Sequence, residues 1–172
     1  MTKTSNTTVK SAQIQKGIYS LASVPFKNVY LRMDGQEVKS FKDEGSGIVN
    51  CQFGSHPWEK FIIHPVGRDV YAFESAAFKN VFLRLDGRDI NKNTSEKNGG
   101  GVVNCQWGMG PWEEFRIEDH GSFMVIRSVA FPDACLRLDG TGVKEFLPAG
   151  GGIVNAQYNY GLYERFTLVP AK

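Results

Sequence analysis

The segment FKNVYLR at 26–32 returns as FKNVFLR at 78–84 and as FPDACLR at 131–137, with the same spacing from Phe to Arg each time. Each copy runs on into Asp-Gly, at Asp34-Gly35, Asp86-Gly87 and Asp139-Gly140. A glycine-rich stretch then leads to IVNCQ at 48–52, VVNCQ at 102–106 and IVNAQ at 153–157. An aromatic-Glu pair follows (Trp58-Glu59, Trp112-Glu113, Tyr163-Glu164), and three residues past each aromatic stand Phe61, Phe115 and Phe166. Five landmarks recurring three times in one order cannot be chance, so any fold for this chain must be built from three similar units of about fifty residues.

Within the first unit, 18–23, 29–33, 48–52 and 60–64 are short runs rich in branched and aromatic residues, separated by Gly, Pro, Asn and Asp. That pattern predicts four strands per unit and about twelve in all, hence an all-β chain. The Asp-Gly pairs are expected to supply the positive φ of a tight hairpin turn. Three four-stranded units are too few for a propeller, which closes with four to eight blades. The remaining solution is a closed barrel with pseudo-threefold symmetry, which hides most sheet edges.

Here the sequence resembles the β-trefoil superfamily, whose members have three four-stranded repeats of this size. The resemblance covers 17–169. Residues 1–16 are expected to be a flexible lead and 17–172 a single domain, with repeats at about 17–67, 68–120 and 121–169. More narrowly, Tyr-Leu-Arg-x-Asp-Gly and Val-Asn-Cys-Gln…Trp-Glu-x-Phe look like the fascin-like branch, although fascins carry several trefoils and this chain has one. The Gln-x-Trp signature of ricin-type lectin repeats is absent: the corresponding triplets are Gln52-Phe53-Gly54, Gln106-Trp107-Gly108 and Gln157-Tyr158-Asn159.

The bulk numbers exclude several functions. With 172 residues the chain can bury one core without staples. A net charge of +2 from 20 basic and 18 acidic residues offers nucleic acid or an anionic membrane no long-range attraction, and no apolar run reaches the length of a span. The polar start at 1–16 lacks a signal peptide's apolar segment, so the expected address is the cytoplasm, with leaderless secretion as the route out. Cys51, Cys105 and Cys135 are too few for a disulfide framework and read as small buried residues.

Catalysis fails on inventory. His56, His64 and His120 fall at unrelated places in the repeats, no nucleophile-base order stands out, and no metal-ligand spacing occurs. Cys51 and Cys105 are equivalent, but the third position is Ala156, which breaks a trigonal metal site. The glycine-rich stretches precede strands, not helices, and so lack the helix N-terminus of a phosphate cradle. The chain is expected to be no enzyme and to need no cofactor or metal.

The candidate ligand-binding residues are the repeated polar ones. On a strand that alternates faces, Arg and Asp at i and i+2 lie side by side, so Asp34, Asp86 and Asp139 form either charged clefts for sugar hydroxyls or ion pairs that fix a turn. Asn50, Asn104 and Asn155 can bind sugars through donor and acceptor, or tie loop to strand. Trp58 and Trp112 either stack a sugar ring or plug the barrel end, while Trp107 and Tyr158, beside Gly and Asn, are candidate exposed aromatics.

Carbohydrate binding, with glycans or glycoproteins as partners, is the leading expectation, since weak sites repeated on one domain gain by avidity. The fascin-like resemblance implies the alternative, binding of filamentous actin, for which a lone trefoil would have to form a homodimer or use 1–16. A third reading, protease inhibition through a protruding loop, falls on 89–98.

Overall fold

The structure, a computed structural model, describes residues 10–92 and 98–171. Among them the chain forms thirteen strands and two short 3₁₀ turns. The strands are β1 (Lys10–Ser11), β2 (Gly17–Ser23), β3 (Val29–Asp34), β4 (Ile48–Phe53), β5 (Phe61–Gly67), β6 (Val70–Ser75) and β7 (Val81–Asp86). They continue with β8 (Val102–Trp107), β9 (Phe115–Asp119), β10 (Met124–Ser128), β11 (Ala134–Asp139), β12 (Ile153–Tyr158) and β13 (Phe166–Pro170). The one beyond the expected twelve is β1.

Six strands close on themselves. Antiparallel pairing runs β2 to β5, β5 to β6, β6 to β9, β9 to β10, β10 to β13 and back from β13 to β2. Closure leaves this ring no edge strand to template aggregation. The other long strands form three hairpins, β3–β4, β7–β8 and β11–β12, each a six-rung ladder attached to the barrel through β2, β6 or β10. Alternation along the strands sends Leu31, Met33, Leu83, Leu85, Leu136 and Leu138 inward, where all six are fully buried. Phe61, Phe73, Phe115 and Phe166 fill the barrel beneath them, and burying a side chain of this size contributes roughly 1.5–3 kcal/mol.

Three contacts in cyclic order bind the hairpins to one another. Ser46 pairs with Cys105, Gly100 with Ala156 and Gly151 with Cys51, each through two backbone hydrogen bonds of 2.7–2.9 Å. The glycine-rich stretches make this approach feasible: Gly45, Gly99 and Gly150 have φ near +68°, and a Cβ on Gly45 would stand 2.6 Å from both Asn104 Oδ1 and the Cys105 carbonyl.

Two expectations need correction. The Asp-Gly pairs do not make tight hairpin turns, because thirteen residues (35–47) separate β3 from β4 and Gly35, Gly87 and Gly140 do not have positive φ. These glycines answer a different demand: a Cβ on Gly35 would lie 3.0 Å from Phe78 and Val81, one on Gly87 2.9 Å from Phe131, and one on Gly140 2.9 Å from Phe26. The lead does not run to residue 16 either. Lys10 and Ser11 pair with Asp119 and Glu118, Ala12 is buried, and Tyr71 Oη donates to the Ala12 carbonyl while accepting from the Ile14 N–H, both at 3.0 Å. The remainder of the expected lead, 1–9, and the centre of the 89–98 loop, 93–97, lie outside the described residues.

Candidate functional site

The repeated Arg of each hairpin points away from the barrel core and is nonetheless buried, because an aromatic ring covers it. Arg32 lies 4.8 Å from the centroid of Trp58, Arg84 4.8 Å from that of Trp112 and Arg137 5.0 Å from that of Tyr163. The same rings pack on the Phe that opens the next unit: Trp58 on Phe78, Trp112 on Phe131 and Tyr163 on Phe26, at 5.0–5.2 Å. Each indole or phenol therefore serves as a structural clamp and keeps a half-buried surface.

The repeated Asn and Gln are engaged internally. Asn50, Asn104 and Asn155 each accept from the Arg of their own hairpin at 3.2 Å. Their amide nitrogens donate to the carbonyls of Ala149, Glu44 and Asn98, on the loop of a neighbouring unit. Gln52 grips that loop from both sides, donating to the Leu147 carbonyl at 2.6 Å and accepting from its N–H at 3.0 Å. Gln106 does the same to Lys42 at 2.6 and 3.1 Å.

The aspartates terminate their strands. Asp34, Asp86 and Asp139 each accept from the backbone N–H two residues on, at Gln36, Arg88 and Thr141. The Arg88 side chain holds the Asp86 carboxyl below its ordinary range through a 2.8 Å bond. Burial raises Asp139, but the two bonds from Thr141 outweigh it and hold its carboxyl low. Within one hairpin these aspartates stand apart from the exposed aromatics, whereas between units Gly35, Gly87 and Gly140 pack on Val81, Ala134 and Val29, the strand partners of Trp107, Tyr158 and Phe53. Asp86 sits opposite Val102 and Trp107 opposite Val81, five rungs apart, or about 17 Å along the hairpin. Asp139 and Tyr158 are separated in the same way on β11–β12. Trp107 is 37 % exposed, Tyr158 is half-buried, and their counterpart Phe53 lines a shallow groove with Lys27 and Thr141.

That groove measures about 520 Å³, and two smaller, repeated concave places lie where a loop of one unit overhangs the aromatic clamp of another. Cleft 1, about 240 Å³, is walled by Trp58, Pro57, His56, Phe146 and Pro148 over a floor of Arg32, Gln52 and Glu59. Cleft 2, about 230 Å³, repeats the plan with Trp112, Pro111, Phe41 and Asp43 over Arg84, Gln106 and Glu113. Both are smaller than the roughly 300–1,000 Å³ of a drug-sized pocket and suit a single ring. Phe41 and Phe146 project from the loops, 63 % and 55 % exposed. The matching place in the third unit, beside Tyr163, borders the 89–98 loop, whose centre is not described.

A buried Glu anchors each clamp. Glu59, Glu113 and Glu164 accept from the N–H three residues back, at His56, Gly110 and Gly161, and so brace the turn that carries the aromatic. Burial raises all three carboxyls above the ordinary range, against the pull of those N–H groups and of Arg32, Arg84 and Arg137. Burial likewise lowers Arg84, against the attraction of Asp86 and Glu113. Among the described residues no group of three or more His, Cys, Asp or Glu could hold a metal ion.

Sequence reasoning missed Phe41, Phe146 and His56. The first two stand at one place in the repeat, four residues before Gly45 and Gly150, in a Val-Lys-x-Phe stretch (38–41 and 143–146) that the second unit lacks.

No family model and no curated protein matches the chain. Solved structures do. A mosquitocidal holotoxin superposes with a TM-score of 0.69 at 14% identity, covering 93% of this chain, which spans 18% of that one. The Macrolepiota procera ricin B-like lectin, solved in complex with lactose, gives 0.62 at 17% identity over 93% of this chain and all of its own. ThreeFoil, a designed protein with threefold symmetry, gives 0.65 at 16% identity over 90% and 99%. The chain has the β-trefoil fold, shared with ricin B-like lectins, and it has that fold without their Gln-x-Trp signature.

Proposed function

We propose that this chain is a non-catalytic carbohydrate-binding protein made of three pseudo-symmetric four-stranded units, and that clefts 1 and 2 are its sugar sites. The observation that carries the reading is the repetition of one cleft plan at two equivalent places: a half-buried indole and a projecting phenylalanine above a polar floor. A pyranose has an apolar face that stacks on an aromatic wall and a hydroxyl rim that needs polar partners, and each cleft offers both. The lectin solved with lactose supports the reading as a fold-level analogy. Two weak sites on one domain would act together on a branched glycan or a glycoprotein.

A broad glycan array probed with the labelled protein tests this. Phe41 and Phe146 are exposed, so replacing both with Ala keeps the fold intact while removing one wall of each cleft. The array should show a related family of hits that the double variant loses. A blank array, or hits untouched by the double variant, would remove the clefts from consideration and turn attention to filamentous actin.

A further inference from the structure

The two clefts share their indole, proline, glutamine and buried arginine but differ in what faces the ligand. Position 56 is His in cleft 1, where the corresponding Gly110 of cleft 2 offers no side chain. His56 is exposed, and its ring meets Phe146 edge-on at 5.0 Å, at the mouth of the cleft. The overhanging loop contributes Pro148 to cleft 1 but Asp43, an exposed acidic residue, to cleft 2.

Charges just behind the walls differ as well, and Lys42, beside Asp43, stands where the loop above cleft 1 has Leu147. Lys60 acts on Glu59 in the first unit, whereas its counterpart Glu114 adds a second negative charge beside Glu113. Glu44 stands near Arg84, and Ala149 holds its place in the other loop. Arg88 lies over Trp112 at 5.1 Å, but Asp86 already holds its guanidinium, and Gln36 occupies the matching position in the first unit. Glu145 is on the loop above cleft 1 but does not line it.

We infer that cleft 1 is built for a pyranose bearing a carboxylate, oriented by the His56 imidazole, while cleft 2 accepts only uncharged rings. This rests on the carbohydrate reading above and adds which sugar each cleft takes. An acidic sugar entering cleft 2 would meet Asp43 with no imidazole to receive its charge, and rejection by like charge is an effective source of specificity.

The chain's three tryptophans allow the clefts to be read separately. In a protein carrying ¹⁵N, the indole N–H signals of Trp58, Trp107 and Trp112 are assigned by single Trp→Phe variants. They are then followed during titration with disaccharides ending in glucuronic or galacturonic acid and with the carboxyl-reduced counterparts. The Trp58 signal should respond to an acidic sugar about tenfold more tightly than to its reduced form, a difference of about 1.4 kcal/mol, and Trp112 should show the opposite order. His56→Gly and Pro148→Asp should each bring the ratio at Trp58 down to about one. Equal affinities for acidic and reduced sugars at both indoles would overturn the charge assignment and leave the carbohydrate reading standing. Silence at both Trp58 and Trp112, or a response confined to Trp107, would overturn both.

Discussion

The guanidinium of Arg32 lies 4.8 Å from the centroid of the Trp58 ring, and its nearest carboxylate oxygen, on Asp34, is 3.9 Å away. The Arg of each repeat is thus held by an aromatic ring and an Asn more than by the neighbouring Asp, and its role is to join hairpin, clamp and overhanging loop.

Removing such an arginine should damage the fold as a whole. Arg84→Ala would strip partners from Asn104 Oδ1 and the Asp43 carbonyl and leave a void under Trp112. The expected loss is about 3 kcal/mol, seen as a lower urea midpoint. Arg88→Ala, at a side chain 62% exposed, should leave the midpoint near that of the unaltered protein. Equal effects would contradict the assignment of Arg84 to the framework.

The glycines after Asp make a second contrast. Gly87→Ala sets a Cβ 2.9 Å from Phe131 and 3.0 Å from Ala134 at a position without positive φ, so its cost is overpacking, about 1–3 kcal/mol. Gly142 has φ of +83° with nothing within 4 Å, so Ala there carries only a backbone penalty of about 1–2 kcal/mol. Equilibrium unfolding of the Asn variants separates the two: Gly142→Asn, a residue that tolerates positive φ, should lose less than Gly142→Ala, whereas Gly87→Asn should lose more than Gly87→Ala.

The buried glutamates give stability a sign with pH. Their folded values lie above the ordinary 4.5, so their contribution is full below that value and is lost as pH rises through the folded values. Replacing Glu59, Glu113 and Glu164 together with Gln keeps an acceptor for each N–H and removes the charge. Thermal scans from pH 4.5 to 7 should show the unaltered protein losing melting temperature relative to the triple variant. Asp86 and Asp139, held low, act oppositely, and their contribution is lost only as pH falls below about 3.8. Parallel curves across the upper range would rule out the glutamate account.

Cys51, Cys105 and Cys135 are wholly buried, and burial pushes each thiol up to about 12. At pH 8 a thiol reagent should find essentially no reactive sulfur in the native protein and three after denaturation. Rapid labelling of the folded chain would place at least one thiol at the surface.

Much of this was legible in the sequence because a threefold repeat admits few closed solutions, and inward-facing Leu, Met and Phe recur at fixed spacing. What escaped has physical reasons. Asp34-Gly35 resembles a turn signal, yet the glycine there is demanded by Phe78, 43 positions later in the chain, a contact no local rule can anticipate. The repeated Asp and Asn attract attention as ligand groups, but threefold recurrence also marks parts that every unit needs to be assembled. β1 is two residues long and polar, so only its pairing with β9 defines it. Phe41 and Phe146 recur in only two of the three units, and they form a wall only against another unit's tryptophan.

A crystal structure of the protein soaked with the strongest array glycan tests the central claim most directly. The account predicts sugar density between Trp58 and Phe146, between Trp112 and Phe41, or in both places. Density seated instead beside Trp107 and Tyr158, or against Asp34, Asp86 and Asp139, would contradict it.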